Sequence, residues 1–226
     1  VTPRVSAIAT VVLGLATLGV AVAFSYLPEV AAIYGPGEAP IADFQRAATQ
    51  DHLDLVFGSP PNPDVVAAMD AINRLDLFAF IPAYALFLIA AALMLARGAR
   101  KGWVWAMIGP VLVGAGADIV ETSSQLQLTA DWARAEALLP LIAPAHWAKY
   151  GALGLNAAAA AAFCLLQRPR RWLLGLAALP ALPAVLAALF EVFDPPRLFS
   201  AVFALFWVVL LLVACGQALR RGAKPV

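Results

Sequence analysis

The stretch from Trp103 to Gln125, WVWAMIGPVLVGAGADIVETSSQ, decides how the rest of the chain reads. It is uncharged from Trp103 to Ala117, and then Asp118 and Glu121 follow one turn apart within the same apolar run. A helix rises about 1.5 Å per residue, so about 20 mostly apolar residues cross about 30 Å of hydrocarbon. An ionisable group at that depth is costly to keep. It persists where partners or a polar cavity surround it, and function is the default hypothesis for it.

The composition around this stretch agrees with a membrane setting. Of 226 residues, 63% are hydrophobic and 13% charged, with a mean hydropathy of +0.84. A soluble domain carries far more charge for its apolar content. Besides 103–125, segments of spanning length fall at 5–27, 73–96, 140–166, 172–193 and 198–219. The expected fold is therefore all-α: a polytopic membrane protein with six transmembrane helices, forming a single transmembrane domain over 1–226.

Charge sets the expected orientation. With the amino terminus inside, the inner connections carry Arg4, then Arg97, Arg100 and Lys101, then Arg168, Arg170 and Arg171, then Arg220, Arg221 and Lys224. No acid falls among them, which is the positive-inside pattern. Both termini are expected to be cytoplasmic, and the chain to be a multi-pass protein of a bacterial cytoplasmic (inner) membrane. Arg4 followed by an apolar run and Ala21-Val-Ala23 resembles a secretory signal, but the run continues through Phe24 and Tyr26 to Leu27, as in a retained span.

The long connection 28–72 is expected on the outer face. It holds Glu29, Glu38, Asp43, Asp51, Asp54, Asp64 and Asp70 against Arg46. Apolar residues at helical spacing predict a short amphipathic helix over 41–57, stopped by Gly58-Ser-Pro-Pro. Asn62-Pro63 reads as an N-cap with proline at the first helical position. This loop reads either as a solvated acidic surface or as a lid over a cavity.

Helical spacing assigns faces to the polar residues. Asn73, Asp76, Phe80 and Tyr84 share one face, with Pro82 expected to bend the helix nearby. Gly114, Asp118, Glu121 and Gln125 share another, and His146, Lys149, Leu153 and Asn156 a third. Counted from Trp103, Asp118 lies roughly 22 Å from the inner edge, so about 8 Å below the outer one. The same count puts Tyr84 and Asn156 about 10–12 Å below the outer edge, and His146 and Lys149 at about 9 and 13 Å. Asp76, Glu121, Glu191, Asp194 and Arg197 fall above them.

This polar level predicts a site. Asp118, Glu121, His146 and Lys149 are the candidate catalytic residues: Asp118 as acid or base, Lys149 as its charge partner or an oxyanion stabiliser, and His146 as a second proton carrier. Asp76, Tyr84, Asn156, Glu191 and Arg197 are candidate substrate-binding residues. The apolar surroundings suit a lipid or isoprenoid-like substrate, so membrane lipid or a lipophilic small molecule is the expected partner. Two other readings compete: a proton- or ion-coupled carrier, and a structural or accessory subunit braced by a buried Asp118–Lys149 pair. An enzyme requires a pocket at this level, a carrier requires polar residues continuing past Asn156, and a brace requires direct contact without a cavity.

Other chemistry finds little footing. Asp76, Asp118, Glu121 and His146 would suit a hard cation, but Lys149 at the same level opposes one, and no metal is assigned. Two histidines at different heights do not make a haem site, and no cofactor is indicated. Cys164 and Cys215 sit on the expected reducing side and read as packing residues. The basic residues form short inner clusters that topology already explains, so no nucleic-acid binding is expected. No Walker, Rossmann, H-E-x-x-H or C-x-x-C signature occurs.

Overall fold

A computed structural model describes residues 3–35, 40–166, 171–190 and 196–219; side chains are described for these except Pro3 and residues 196–200. Helices occupy them in the order α1 (Pro3–Ala23), α2 (Pro28–Ala31), α3 (Ile41–Gln45), α4 (Gln50–Phe57), α5 (Pro63–Leu75), α6 (Ile81–Leu95), α7 (Lys101–Ala130), α8 (Ala135–Leu166), α9 (Trp172–Ala178), α10 (Ala181–Leu189) and α11 (Pro196–Leu219). No strand occurs among the described residues. Among the described residues, six helical stretches are long and apolar enough to cross a membrane, which fits a multi-pass membrane protein. Leu112, Val113, Ile119 and Val120 of α7 are exposed, as a lipid-facing helix surface requires.

Most helices run past the boundaries expected from hydropathy. The stretch expected at 73–96 begins at Pro63, where Asn62 Oδ1 accepts the Asp64 amide as the N-cap. The one expected at 103–125 extends to Ala130, and the one at 140–166 begins at Ala135. Hydropathy detects the apolar part of a helix, whereas the backbone ladder continues into its polar ends. The fifth stretch is divided between α9 and α10 at Leu179–Pro180.

Just before Pro82, where a bend is expected, the helix departs from regular α geometry. Residues Asp76–Phe80 make a π turn, closed by the Ile81 amide donating to the Asp76 carbonyl. The wider turn fits one extra residue and rotates everything after it relative to a regular helix.

Internal contacts divide the chain into two compact units. The first comprises 1–16, 83–114 and 150–226. In it α9 and α10 pack on α11, Tyr84 stacks on Trp207 at 5.7 Å, and Trp103 meets Phe163 edge-on. A Cβ on Gly14 would lie 2.9 Å from both Leu211 Cδ1 and Phe87 Cε2, so glycine is what permits this approach. Cys164 and Cys215 are free thiols.

The second unit comprises 17–82 and 115–149. The connection expected as one amphipathic helix over 41–57 is two, α3 and α4, interrupted before Thr49, whose hydroxyl caps the His52 amide. Gly58 ends α4 at φ +82, a left-handed conformation that other residues adopt only under strain. These short helices are not merely a solvated surface. Phe44, Leu53 and Phe57 are buried with Met69, Leu128 and Ile142, and Phe57 packs edge-on between Phe44 (4.8 Å) and Trp132 (5.0 Å). The connection thus forms an apolar cap over the ends of α5, α7 and α8.

Candidate functional site

The site lies in the second unit, where α7 and α8 run antiparallel. Asp118 and Glu121 are one turn apart on α7, as are His146 and Lys149 on α8. The antiparallel register matches them crosswise. Lys149 Nζ donates to Asp118 Oδ1 at 2.9 Å and lies 2.7 Å from Glu121 Oε2. His146 Nδ1 is 3.4 Å from Glu121 Oε1 and its ring meets Trp147 edge-on. Glu121 is thereby shared between a lysine and a histidine.

From the other side, Asp76 at the start of the π turn accepts a hydrogen bond from Thr122 Oγ1 at 3.1 Å. Asp118, Glu121 and Lys149 lie within electrostatic reach of Asp76, and Arg46, from the connection, within that of His146. Further along, Thr129 Oγ1 donates to Asp70 Oδ1 at 2.6 Å. These two hydroxyl–carboxylate bonds set the register between α5 and α7.

Burial is nearly complete. Asp118 is 2% exposed, Glu121 0%, His146 2%, Lys149 4% and Asp76 8%. Among the described residues acid exceeds base here. Lys149 contacts two carboxylates, Asp118 and Glu121, Asp76 is buried near them, and His146 can add a second positive charge. Charge in so buried a place is costly unless it is paired and hydrogen-bonded, which the contacts of Lys149, His146 and Thr122 provide here. Among the described residues no group of three or more His, Cys, Asp or Glu side chains is arranged to hold a metal.

The structure therefore brings together five sequence candidates: Asp76, Asp118, Glu121, His146 and Lys149. Tyr84 and Asn156 have partners within the first unit: Tyr84 stacks on Trp207, and Asn156 Nδ2 donates to the Met107 carbonyl at 2.9 Å. Glu191 and Asp194 lie outside the described residues, and of Arg197 only its place in α11 is described.

Three contributors stand outside the candidate list drawn from the sequence, although Asn73 and Gln125 were placed on the right faces. Thr122 is unremarkable in sequence but lies beside Glu121 and orients Asp76. Asn73 and Gln125 extend the faces of Asp76 and Glu121 and are buried to 1% and 0% exposure. Their position one turn from a carboxylate was the available signal. Alongside α5, a cavity of about 580 Å³ is lined by Leu27, Pro28, Val66, Asp70, Ala71 and Arg74 among others, so Asp70 joins its wall to Thr129 of α7.

The fold and site together define a helical protein, apolar enough to cross a membrane six times, with an ionisable network buried among its helices. The chain matches no family model, no curated protein and no solved structure.

Proposed function

We propose that the Asp118–Glu121–His146–Lys149 cluster is the acid–base site of a membrane enzyme acting on a lipid or isoprenoid-like substrate, with Asp76 completing the site. The observation that carries this reading is the excess of acid among the described residues: Asp118 and Glu121 both contact Lys149, and Asp76, hydrogen-bonded to Thr122, is buried near them. A brace needs one carboxylate per lysine, whereas a proton-transferring site needs a group that can gain and lose a proton in place. Glu121 fits that role, since Lys149 and His146 both contact it. Lys149 pairs with Asp118, and His146 exchanges the proton with Glu121. In the proposed topology both termini are cytoplasmic and the 28–72 connection lies outside, so the site belongs to the outer half of a bacterial inner membrane.

A second reading has its own support. Asp118 and Lys149 are in direct contact and deeply buried, and the cavity beside α5 is lined by none of the cluster residues, as a structural brace requires. One experiment separates them. The protein is reconstituted in nanodiscs with a total lipid extract of its host, and lipids are followed by mass spectrometry with time. Conversion of one lipid species by the parent protein and none by Glu121→Gln or His146→Gln, both folded, supports the enzyme. An unchanged lipid profile in the parent, with Asp118→Asn and Lys149→Ala both unstable, leaves the brace.

A further inference from the structure

Next to the charged cluster stands a pair of amides that it does not use. Asn73 lies between Asp70 and Asp76 on α5 and its π turn, and Gln125 between Thr122 and Thr129 on α7. The bonds Thr122–Asp76 and Thr129–Asp70 tie the helices together on either side, so their register puts Asn73 and Gln125 at one level. The α8 residue that the same antiparallel register brings to this level is Ile142, which is apolar and buried. Yet Asn73 Nδ2, Gln125 Nε2 and Gln125 Oε1 are all buried without a hydrogen-bond partner among the described residues. A buried amide left unsatisfied is strongly unfavourable, and native proteins keep few of them.

We infer that Asn73 and Gln125 form a binding subsite for the neutral oxygen group, a hydroxyl above all, of a lipophilic molecule. The donor and acceptor inventory fits one. A hydroxyl accepts from the Asn73 and Gln125 amide N–H groups and donates to Gln125 Oε1. The charge of the surroundings selects against an anion, since Asp70, Asp76 and Glu121 flank the pair along the two helices. The π turn beginning at Asp76, a local irregularity of the ladder of the kind often found at functional sites, adjoins the pair. The inference rests on the enzyme reading for one point, that the group held here is presented to Glu121 one turn away.

The test uses full-length protein in nanodiscs, melted with either 1-hexadecanol or hexadecyl sulfate at equal mole fraction. The parent is expected to gain roughly 5–10 °C in Tm with the alcohol near one hundred times its Kd, and nothing with the sulfate. Gln125→Met and the double variant Asn73→Leu/Gln125→Met, which replace the amides with apolar groups of similar size, are expected to lose the alcohol shift. Their Tm without alcohol is expected to equal or exceed the parent's, because unsatisfied polar groups have been removed. The inference is overturned if the parent shows no shift with the alcohol, if the sulfate shifts it equally, or if the variants keep the shift, as they would were the amides held only by water. The single variant reads the same shift should the double one not fold. Alcohol binding without conversion of any lipid would retire the enzyme reading and leave the subsite standing.

Discussion

Removing the lysine tests the electrostatic reasoning most directly. Lys149→Met keeps the length of the side chain and deletes the ammonium that donates to Asp118 at 2.9 Å and lies 2.7 Å from Glu121. Asp118 and Glu121 are then left with Asp76 within electrostatic reach of both, and none is more than 8% exposed. Breaking a buried pair by deleting one partner typically costs about 3–5 kcal/mol, because the remaining charge is left uncompensated. For a chain of this size that is roughly 6–20 °C in Tm. The decisive measurement is rescue. If charge imbalance causes the loss, Glu121→Gln or Asp118→Asn in the Lys149→Met background should restore stability, with both together restoring most of it. Thermal unfolding in nanodiscs, followed by tryptophan fluorescence, reads this cycle. A Lys149→Met protein as stable as the parent, or a triple variant no better than the single one, would refute the claim that these groups form one electrostatic unit.

Other consequences can be checked separately. Thr122→Val deletes the hydroxyl that donates to Asp76 and should cost about 1.5–3 kcal/mol, while Thr122→Ser should cost much less; unfolding curves of the two compare directly. Phe57→Ala empties the centre of the apolar cap and should cost about 3–5 kcal/mol, with a red shift in Trp132 emission as that ring loses its neighbour. Gly14→Ala places a methyl group against Leu211 and Phe87 and should destabilise by about 1–3 kcal/mol, measurable as a lower Tm. A phosphatase reporter inserted after Phe57 should be active and one inserted after Gly98 inactive; the reverse pattern would invert the proposed topology, in which Arg97, Arg100 and Lys101 lie inside.

Sequence alone determined that this chain is built of membrane-length helices, because crossing hydrocarbon demands long uncharged runs and satisfied backbone groups, and both leave a linear trace. It also placed Asp118 with Glu121, and His146 with Lys149, on single helix faces, since the 3.6-residue period fixes those neighbours locally. The cap and proline at Asn62–Pro63 were legible for the same reason. Which faces meet was a tertiary decision. The antiparallel register of α7 and α8 sets Lys149 between two carboxylates, and the register of α5 on α7 puts Thr122 on Asp76. The π turn at Asp76–Phe80 left no trace that helical periodicity could read. The acidic connection hid its packing from a reading of charge alone. Phe44, Leu53 and Phe57 come from two short helices, and only the ends of α5, α7 and α8 supply the apolar surface that buries them.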